Sequence, residues 1–112
     1  MQDRGPWRGL ASLLSCGALA WSFGAEAQTV EVAIQDYKYA PAALTIKVGT
    51  TVKWRNNEKR TTHSILFTGP GGFESERFFP GESWQRSFDR PGTYLYSCGP
   101  HPEMKGRIDV TE

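Results

Sequence analysis

Residues 94–106 read YLYSCGPHPEMKG, and this stretch decides the fold. The alternation of side chains before Cys98 predicts a strand that ends there, because successive strand residues point to opposite faces of a sheet. The glycine and the two prolines that follow predict a tight loop. A final strand is expected from Gly106 to Val110, with its apolar side chains facing inward. The loop therefore joins the last two strands of the chain.

Three side chains of this loop are potential metal ligands: Cys98, His101 and Met104, spaced as C-x-x-H-x-x-M. Soft sulfur ligands favour copper, and imidazole suits both of its oxidation states. Two histidines, one cysteine and a weak axial methionine form the ligand set of a blue-copper electron-transfer site. The loop supplies one of the two histidines, and the chain contains a single other, His63. His63 is therefore the only candidate for the missing ligand.

The ligand loop resembles that of the small blue copper proteins, the cupredoxins. Its two spacings are most similar to those of amicyanin, whereas plastocyanin and pseudoazurin share the Cys-to-His spacing but have a longer gap before Met. The resemblance extends over about residues 30–112, and the loop is its specific part. It implies one type 1 copper ion, with His63, Cys98 and His101 as equatorial ligands and Met104 as the weak axial ligand.

Outside the loop, apolar and polar side chains alternate over short segments that are separated by turn signals. This pattern predicts an all-β fold, a two-sheet β-sandwich of about seven to eight strands. The resemblance implies Greek-key connections that bring His63, at the start of one strand, beside the loop after Cys98. Residues 73–80 are compatible with either a helical turn or a strand. The expected strands are residues 30–34, 44–48, 52–55, 63–67, 81–88, 93–98 and 106–110.

The first 27 residues have the features of a secretory signal. Arg4 and Arg8 give a basic start, and residues 10–23 form an apolar stretch of small and large side chains. Residues 25–27 read Ala-Glu-Ala, which is an A-x-A cleavage site. The apolar stretch is short for a membrane span. These features predict export and removal of the segment.

Cleavage divides the chain into a signal peptide, residues 1–27, and a single cupredoxin domain, residues 28–112, in the periplasm. An uncleaved membrane anchor and lipidation at Cys16 are alternatives that the sequence leaves open. The mature domain keeps Cys98 as its single cysteine, so it cannot form a disulfide within the chain. A lone cysteine in an exported protein is either a reactive liability or a metal ligand. The closeness of Cys98 to His101 favours a role as metal ligand.

The charge of the chain gives little indication of a strongly charged partner. It has 13 Lys and Arg against 12 Asp and Glu, a net charge of +1, with the two signs interleaved. This pattern argues against nucleic-acid binding and against a membrane-binding basic helix, so we expect no stable membrane contact. The one basic run, Lys59-Arg60, lies near His63 in sequence, where it would steer an acidic partner or remain a solvated loop.

Three residues shape the ligand loop: Gly99, Pro100 and Pro102. Proline fixes φ and lacks an N–H, so we expect a stiff loop with the same geometry in both oxidation states. Because Pro100 cannot donate to the Cys98 sulfur, the N–H of Ser64 is the expected donor. Cupredoxins commonly have an asparagine after the first histidine, so the shorter Ser64 side chain is expected to brace the loop less firmly.

The resemblance implies an electron carrier, not an enzyme. It would be a monomer that passes electrons between redox proteins such as an amine dehydrogenase or a c-type cytochrome, with the His101 imidazole edge as the electron port. A periplasmic copper carrier without a redox role is the alternative, and a metal-free immunoglobulin-like module is a third possibility. Two histidines are too few for the additional His-rich centre of a copper enzyme. Zinc is the rival metal, with Glu103 as a substitute ligand.

Overall fold

The computed structural model describes residues 28–112, so the expected signal segment lies outside the described residues. Eight strands and no helix occur within this range, which confirms the predicted all-β fold. Accordingly, this part of the chain contains no helix that is long and apolar enough to cross a membrane. The strands are β1 (Thr29–Gln35), β2 (Lys38–Ala40), β3 (Ala43–Lys47), β4 (Thr50–Asn56), β5 (Leu66–Phe67), β6 (Ser83–Phe88), β7 (Gly92–Ser97) and β8 (Lys105–Thr111).

The strands form two four-stranded sheets, in the orders β2-β1-β4-β6 and β3-β8-β7-β5. Each sheet contains one parallel pair, β1 with β4 and β3 with β8, and its other pairs are antiparallel. Most neighbouring strands are not consecutive in the chain, so the connections cross between the sheets. The predicted two-sheet sandwich is confirmed. Because β7 and β8 are antiparallel neighbours, the ligand loop leaves from one end of the sandwich.

The centre of the core is Trp54 on β4, whose side chain is 0% exposed. Its ring lies 5.6 Å from that of Trp84 in its own sheet, and 6.2 Å and 5.4 Å from those of Phe67 and Tyr96 in the opposite sheet. Edge-to-face and tilted aromatic pairs of this kind add to the stabilisation from buried area. A Cβ at position 106 would collide with the Tyr96 ring, so Gly106 lets this ring pack over β8.

A two-residue turn, Asp36-Tyr37, joins β1 to β2, a strand that is not among the expected ones. Both turn residues have positive φ, 57° and 60°, which matches the turn type favoured in two-residue hairpins. This conformation is uncommon for a tyrosine, so the sequence has no familiar turn signal here. The backbone N–H of Tyr37 donates to a carboxylate oxygen of Glu58 at 2.8 Å. The hairpin is therefore fastened to the loop after β4.

Residues 73–78 form an irregular extended segment rather than a helical turn or a regular strand. They run antiparallel to residues 63–67, of which only the last two form a strand, β5. Isolated bridges at the two ends of the segment replace a continuous ladder. These bridges pair His63 with Phe78 and Leu66 with Glu74.

Asn56, the last residue of β4, is fully buried and fixes the loop that leads to His63. Its side-chain amide donates to the carbonyl oxygens of Thr61 at 2.9 Å and Phe78 at 3.1 Å. Its side-chain oxygen accepts the N–H of Glu58 at 2.9 Å. A buried amide with these partners is satisfied, so one side chain holds both ends of the loop.

Asn56→Ala should lower the free energy of unfolding by about 2 kcal/mol, because the Thr61 carbonyl and the Glu58 N–H lose their Asn56 partner and the buried Phe78 carbonyl keeps only the N–H of His63. Urea unfolding of the metal-free protein, followed by tryptophan fluorescence, measures this loss. Asn57→Ala is the matched control: its side chain is exposed, and its effect should stay within about 0.5 kcal/mol. Equal losses in the two variants would show that the Asn56 side chain does not hold the loop.

Candidate metal centre

Three of the predicted ligands converge at one end of the sandwich. Nδ1 of His63 lies 3.5 Å from Sγ of Cys98, and Nδ1 of His101 lies 3.6 Å from the same sulfur. The three donor atoms all lie within 4.8 Å of one another. His63 and Cys98 are 0% exposed, and His101 is half-buried. The fold therefore joins a histidine and a cysteine that are 35 positions apart in sequence.

The spacing of these donor atoms fits one metal ion bound between them. Bonds of about 2.0 Å to imidazole nitrogen and about 2.3 Å to thiolate sulfur, at a near-tetrahedral angle, place nitrogen and sulfur roughly 3.5 Å apart. The two distances from Cys98 agree with this value. Thiolate and imidazole are ligands that copper accepts. Glu103 is exposed and does not belong to the donor cluster.

Met104, the predicted axial ligand, is 3% exposed at the end of the same loop. Its backbone N–H donates to the carbonyl of His101 at 2.9 Å, and its own carbonyl accepts the N–H of Cys98 at 3.2 Å. These two bonds close the loop into a compact turn, so the backbones of all three residues are fixed together. Coordination by the Met104 sulfur stays a prediction.

Residues 26–111 match one protein family, the copper-binding proteins of the plastocyanin/azurin family. The chain belongs to this family. It is a cupredoxin, as the ligand loop predicted, and its cofactor is copper. The three converging donors and the closed loop are the features that suit this cofactor.

Individual relatives agree with this assignment. Amicyanin-alpha of Methylorubrum extorquens is 37% identical over 101 residues, which cover 87% of this chain and 84% of that protein. Plastocyanin of Scenedesmus fuscus is 40% identical over 84 residues, covering 64% of this chain and 85% of that protein. A solved structure of a reduced amicyanin variant superposes with a TM-score of 0.69 at 30% identity, covering 73% of this chain and 81% of that one.

In this cupredoxin, Glu58 orients the His63 ring, with its Oε2 3.0 Å from the ring Nε2. If Nε2 carries the proton and donates it to the carboxylate, Nδ1 keeps its lone pair facing Cys98 and free for metal. Burial holds the pKa of His63 below its ordinary value, against the opposing effect of Glu58, and this shift favours the neutral form of the ring. Burial would raise the pKa of Glu58, but its bonds from Tyr37 and His63 lower it below the ordinary value.

Ser64 fixes the backbone between the two ligand segments. Its N–H donates to Sγ of Cys98 at 3.4 Å, which confirms the predicted donor. Its carbonyl accepts the hydroxyl of the buried Tyr39 at 2.9 Å. Burial, and then the nearness of Cys98 and Tyr96, raise the pKa of Tyr39 above its ordinary value, so this hydroxyl keeps its proton and donates.

Tyr37 covers the outer side of the donor cluster. Its ring lies 4.8 Å from the His101 ring and 5.7 Å from the His63 ring, edge to face in both cases. The side chain is 47% exposed, so an aromatic ring shares the surface above His101. Neither Tyr37 nor Glu58 was predicted from the sequence to be part of the site. A tyrosine in a turn and a glutamate in a charged loop have no sequence pattern that distinguishes them from solvated residues.

Glu58→Ala should weaken copper binding about 10–100-fold, because the His63 ring loses the partner that sets its orientation and tautomer. Competition against a chelator of known affinity measures this change. Glu103→Ala is the control, since it removes an exposed carboxylate of the ligand loop that lies outside the donor cluster. An equal loss of affinity in both variants would mean that negative charge near the site, and not the bond to His63, is what matters.

Proposed function

We propose that this cupredoxin is a periplasmic electron carrier that binds one copper ion through His63, Cys98, His101 and Met104. The observation on which the proposal depends is the convergence of one thiol and two imidazole nitrogens in a largely buried cluster. Bound copper would supply a one-electron couple between Cu(I) and Cu(II). The protein supplies the ligand geometry, the exclusion of water and the contact surface for a partner.

The donors are held by backbone hydrogen bonds that need no metal. The loop is closed by the bonds between Cys98, Met104 and His101. On the other side of the cluster, the N–H of His63 donates to the carbonyl of Phe78 at 3.2 Å, and the N–H of Phe78 donates back at 3.0 Å. The two prolines of the loop add stiffness. A ligand set fixed in this way favours the same geometry in both oxidation states, so little rearrangement accompanies electron transfer.

His101 is the proposed point at which electrons enter and leave. It is half-buried, whereas His63 and Cys98 are fully enclosed. The Tyr37 ring packs against the His101 imidazole at 4.8 Å, so a partner that docks over His101 would also contact this ring. Lys59 and Arg60 are exposed in the loop that leads to His63, where they would attract an acidic partner.

The proposed partners are an amine dehydrogenase as electron donor and a c-type cytochrome as acceptor, and the carrier is proposed to act as a monomer. Support comes from the similarity to amicyanin-alpha, at 37% identity, and from the loop spacings shared with amicyanin. Copper delivery is disfavoured by the full burial of His63 and Cys98, because release of the metal would require the site to open.

Export predicts that the mature chain begins at Gln28. When the full chain is expressed in a bacterium with a periplasm, the protein recovered from that compartment should have the mass of residues 28–112. Intact mass spectrometry measures this, and Ala27→Arg, which alters the small residue of the cleavage site, should block processing. A chain that keeps residues 1–27, or one that is lipidated at Cys16, would contradict the proposal.

The processed protein, loaded with Cu(II), should show an intense visible band from thiolate-to-copper charge transfer and should cycle reversibly in voltammetry. Cys98→Ser should abolish the band because it removes the thiolate. Met104→Leu should keep the band and shift the reduction potential, since the axial ligand tunes it. A colourless protein that binds Cu(I) and readily releases it to a chelator would instead indicate a copper carrier.

A further inference from the structure

A backbone amide, a hydroxyl and a carboxylate are linked by hydrogen bonds beside the metal centre. The N–H of Gly99 donates to Oγ of Ser64 at 3.0 Å, and this oxygen lies 2.6 Å from Oε2 of Glu74. An ionised carboxylate can only accept, so the hydroxyl donates to Glu74 and turns a lone pair toward Gly99. Ser64 follows His63 in sequence, and Gly99 follows the cysteine ligand. This carboxylate bridge, Gly99–Ser64–Glu74, therefore joins the two ligand segments.

The backbone around Glu74 is fixed by the neighbouring segment. Glu74 forms an antiparallel bridge with Leu66. The next residue, Ser75, donates its N–H to the carbonyl of Ile65 at 2.9 Å, and its hydroxyl accepts the N–H of Ile65 at 2.9 Å. Arg77 also approaches Glu74, at 3.7 Å, but it is largely exposed, and ion pairs of this kind contribute little. The carboxylate is thus placed by paired backbone.

Gly99 is the residue that lets the carboxylate reach the hydroxyl. A Cβ at this position would overlap Oε2 of Glu74 and press on Oγ of Ser64. The loop therefore has no side chain where the carboxylate lies against it. Glu74 and the ligand loop are complementary in shape as well as in hydrogen bonding.

We propose that Glu74 is a positioning residue that, through Ser64, holds the ligand loop against the His63 segment. Its effect on the metal rests on the proposed copper function, whereas its effect on the loop does not. Ser64 donates its N–H to Sγ of Cys98 and its hydroxyl to Glu74. Without the carboxylate, the hydroxyl is free to turn among its staggered rotamers, and the N–H of Gly99 loses a fixed acceptor. The Glu74 carboxylate thus compensates for the short Ser64 side chain, which was expected to hold the loop less firmly than an asparagine.

The first test follows the Gly99 amide hydrogen in the metal-free protein by NMR. Glu74→Ala removes the charge-assisted hydrogen bond between Glu74 and the Ser64 hydroxyl. The hydroxyl then no longer holds the Gly99 N–H in place, so exchange of this hydrogen should become about tenfold faster. Glu74→Gln keeps an acceptor for the Ser64 hydroxyl and should restore exchange to within about twofold of the wild type. Glu76→Ala, which removes an exposed carboxylate from the same segment, should leave exchange unchanged.

The second test compares reduction potentials in the copper-loaded variants. Loss of a negative charge raises the potential in both Glu74→Gln and Glu74→Ala, because the reduced site is the less positive one. Only Glu74→Ala also loosens Ser64, the donor to the Cys98 sulfur, and a weaker bond to the thiolate favours Cu(II). The potential of Glu74→Ala should therefore lie below that of Glu74→Gln, which has lost the same charge.

Equal exchange rates and equal potentials in Glu74→Ala and Glu74→Gln would overturn the inference, since charge alone would then account for the effect. An unchanged exchange rate in Glu74→Ala would overturn it even in a blue protein. Faster exchange in Glu74→Ala within a protein that shows no blue band would support the bridge and contradict the electron-carrier proposal. Urea unfolding of both variants establishes that the comparison is made between folded proteins.

Discussion

The structure depends on holding the His63 imidazole 3.5 Å from the Cys98 sulfur, although 35 positions separate the two residues. No local sequence feature provides this distance. The pairing of β5 with β7 provides it, because Leu66 lies opposite Ser97 in the antiparallel register. Neighbouring strands are about 4.8 Å apart, so the residues just beyond this pair are already close. The N–H of Ser64 then completes the contact by donating to the sulfur.

Burying polar side chains at the end of a hydrophobic core has a cost in free energy that the surrounding hydrogen bonds offset. Asn56, His63 and Ser64 are each 0% exposed, and a buried polar group without a partner costs about 1–3 kcal/mol. Each of the three has partners on its outer side. The inner atoms, Nδ1 of both imidazoles and the Cys98 sulfur, face one another instead. A cation between them would satisfy all three donor atoms. The hydrogen bonds to the other polar atoms of these residues therefore determine which atoms remain free for metal.

The sandwich and the identity of the candidate ligands were predictable because both depend on short patterns, whereas the convergence of His63 with the loop was implied only by the family resemblance. Alternation marks the strands, C-x-x-H-x-x-M marks the loop, and His63 followed because the chain has only one other histidine. The Ser64 donor was also predictable, since Pro100 lacks an N–H. Glu58 and Glu74 were not predictable: both lie in polar loops, and only folding gives their carboxylates the hydrogen bonds that make them part of the site. β2 was missed because its turn has no glycine or asparagine.

One carboxylate oxygen links the inner ligand to the outer surface. Oε2 of Glu58 lies 3.0 Å from Nε2 of His63, and it also accepts the backbone N–H of Tyr37 at 2.8 Å. The positive φ of Tyr37 is disfavoured for its residue type, and this bond helps to hold it. The same conformation sets the tyrosine ring edge-to-face against His101. The Glu58 carboxylate therefore helps to set both the orientation of the enclosed His63 and the shape of the surface over the half-buried His101. A change that moves the Glu58 carboxylate would alter both the metal geometry and the face that a partner meets.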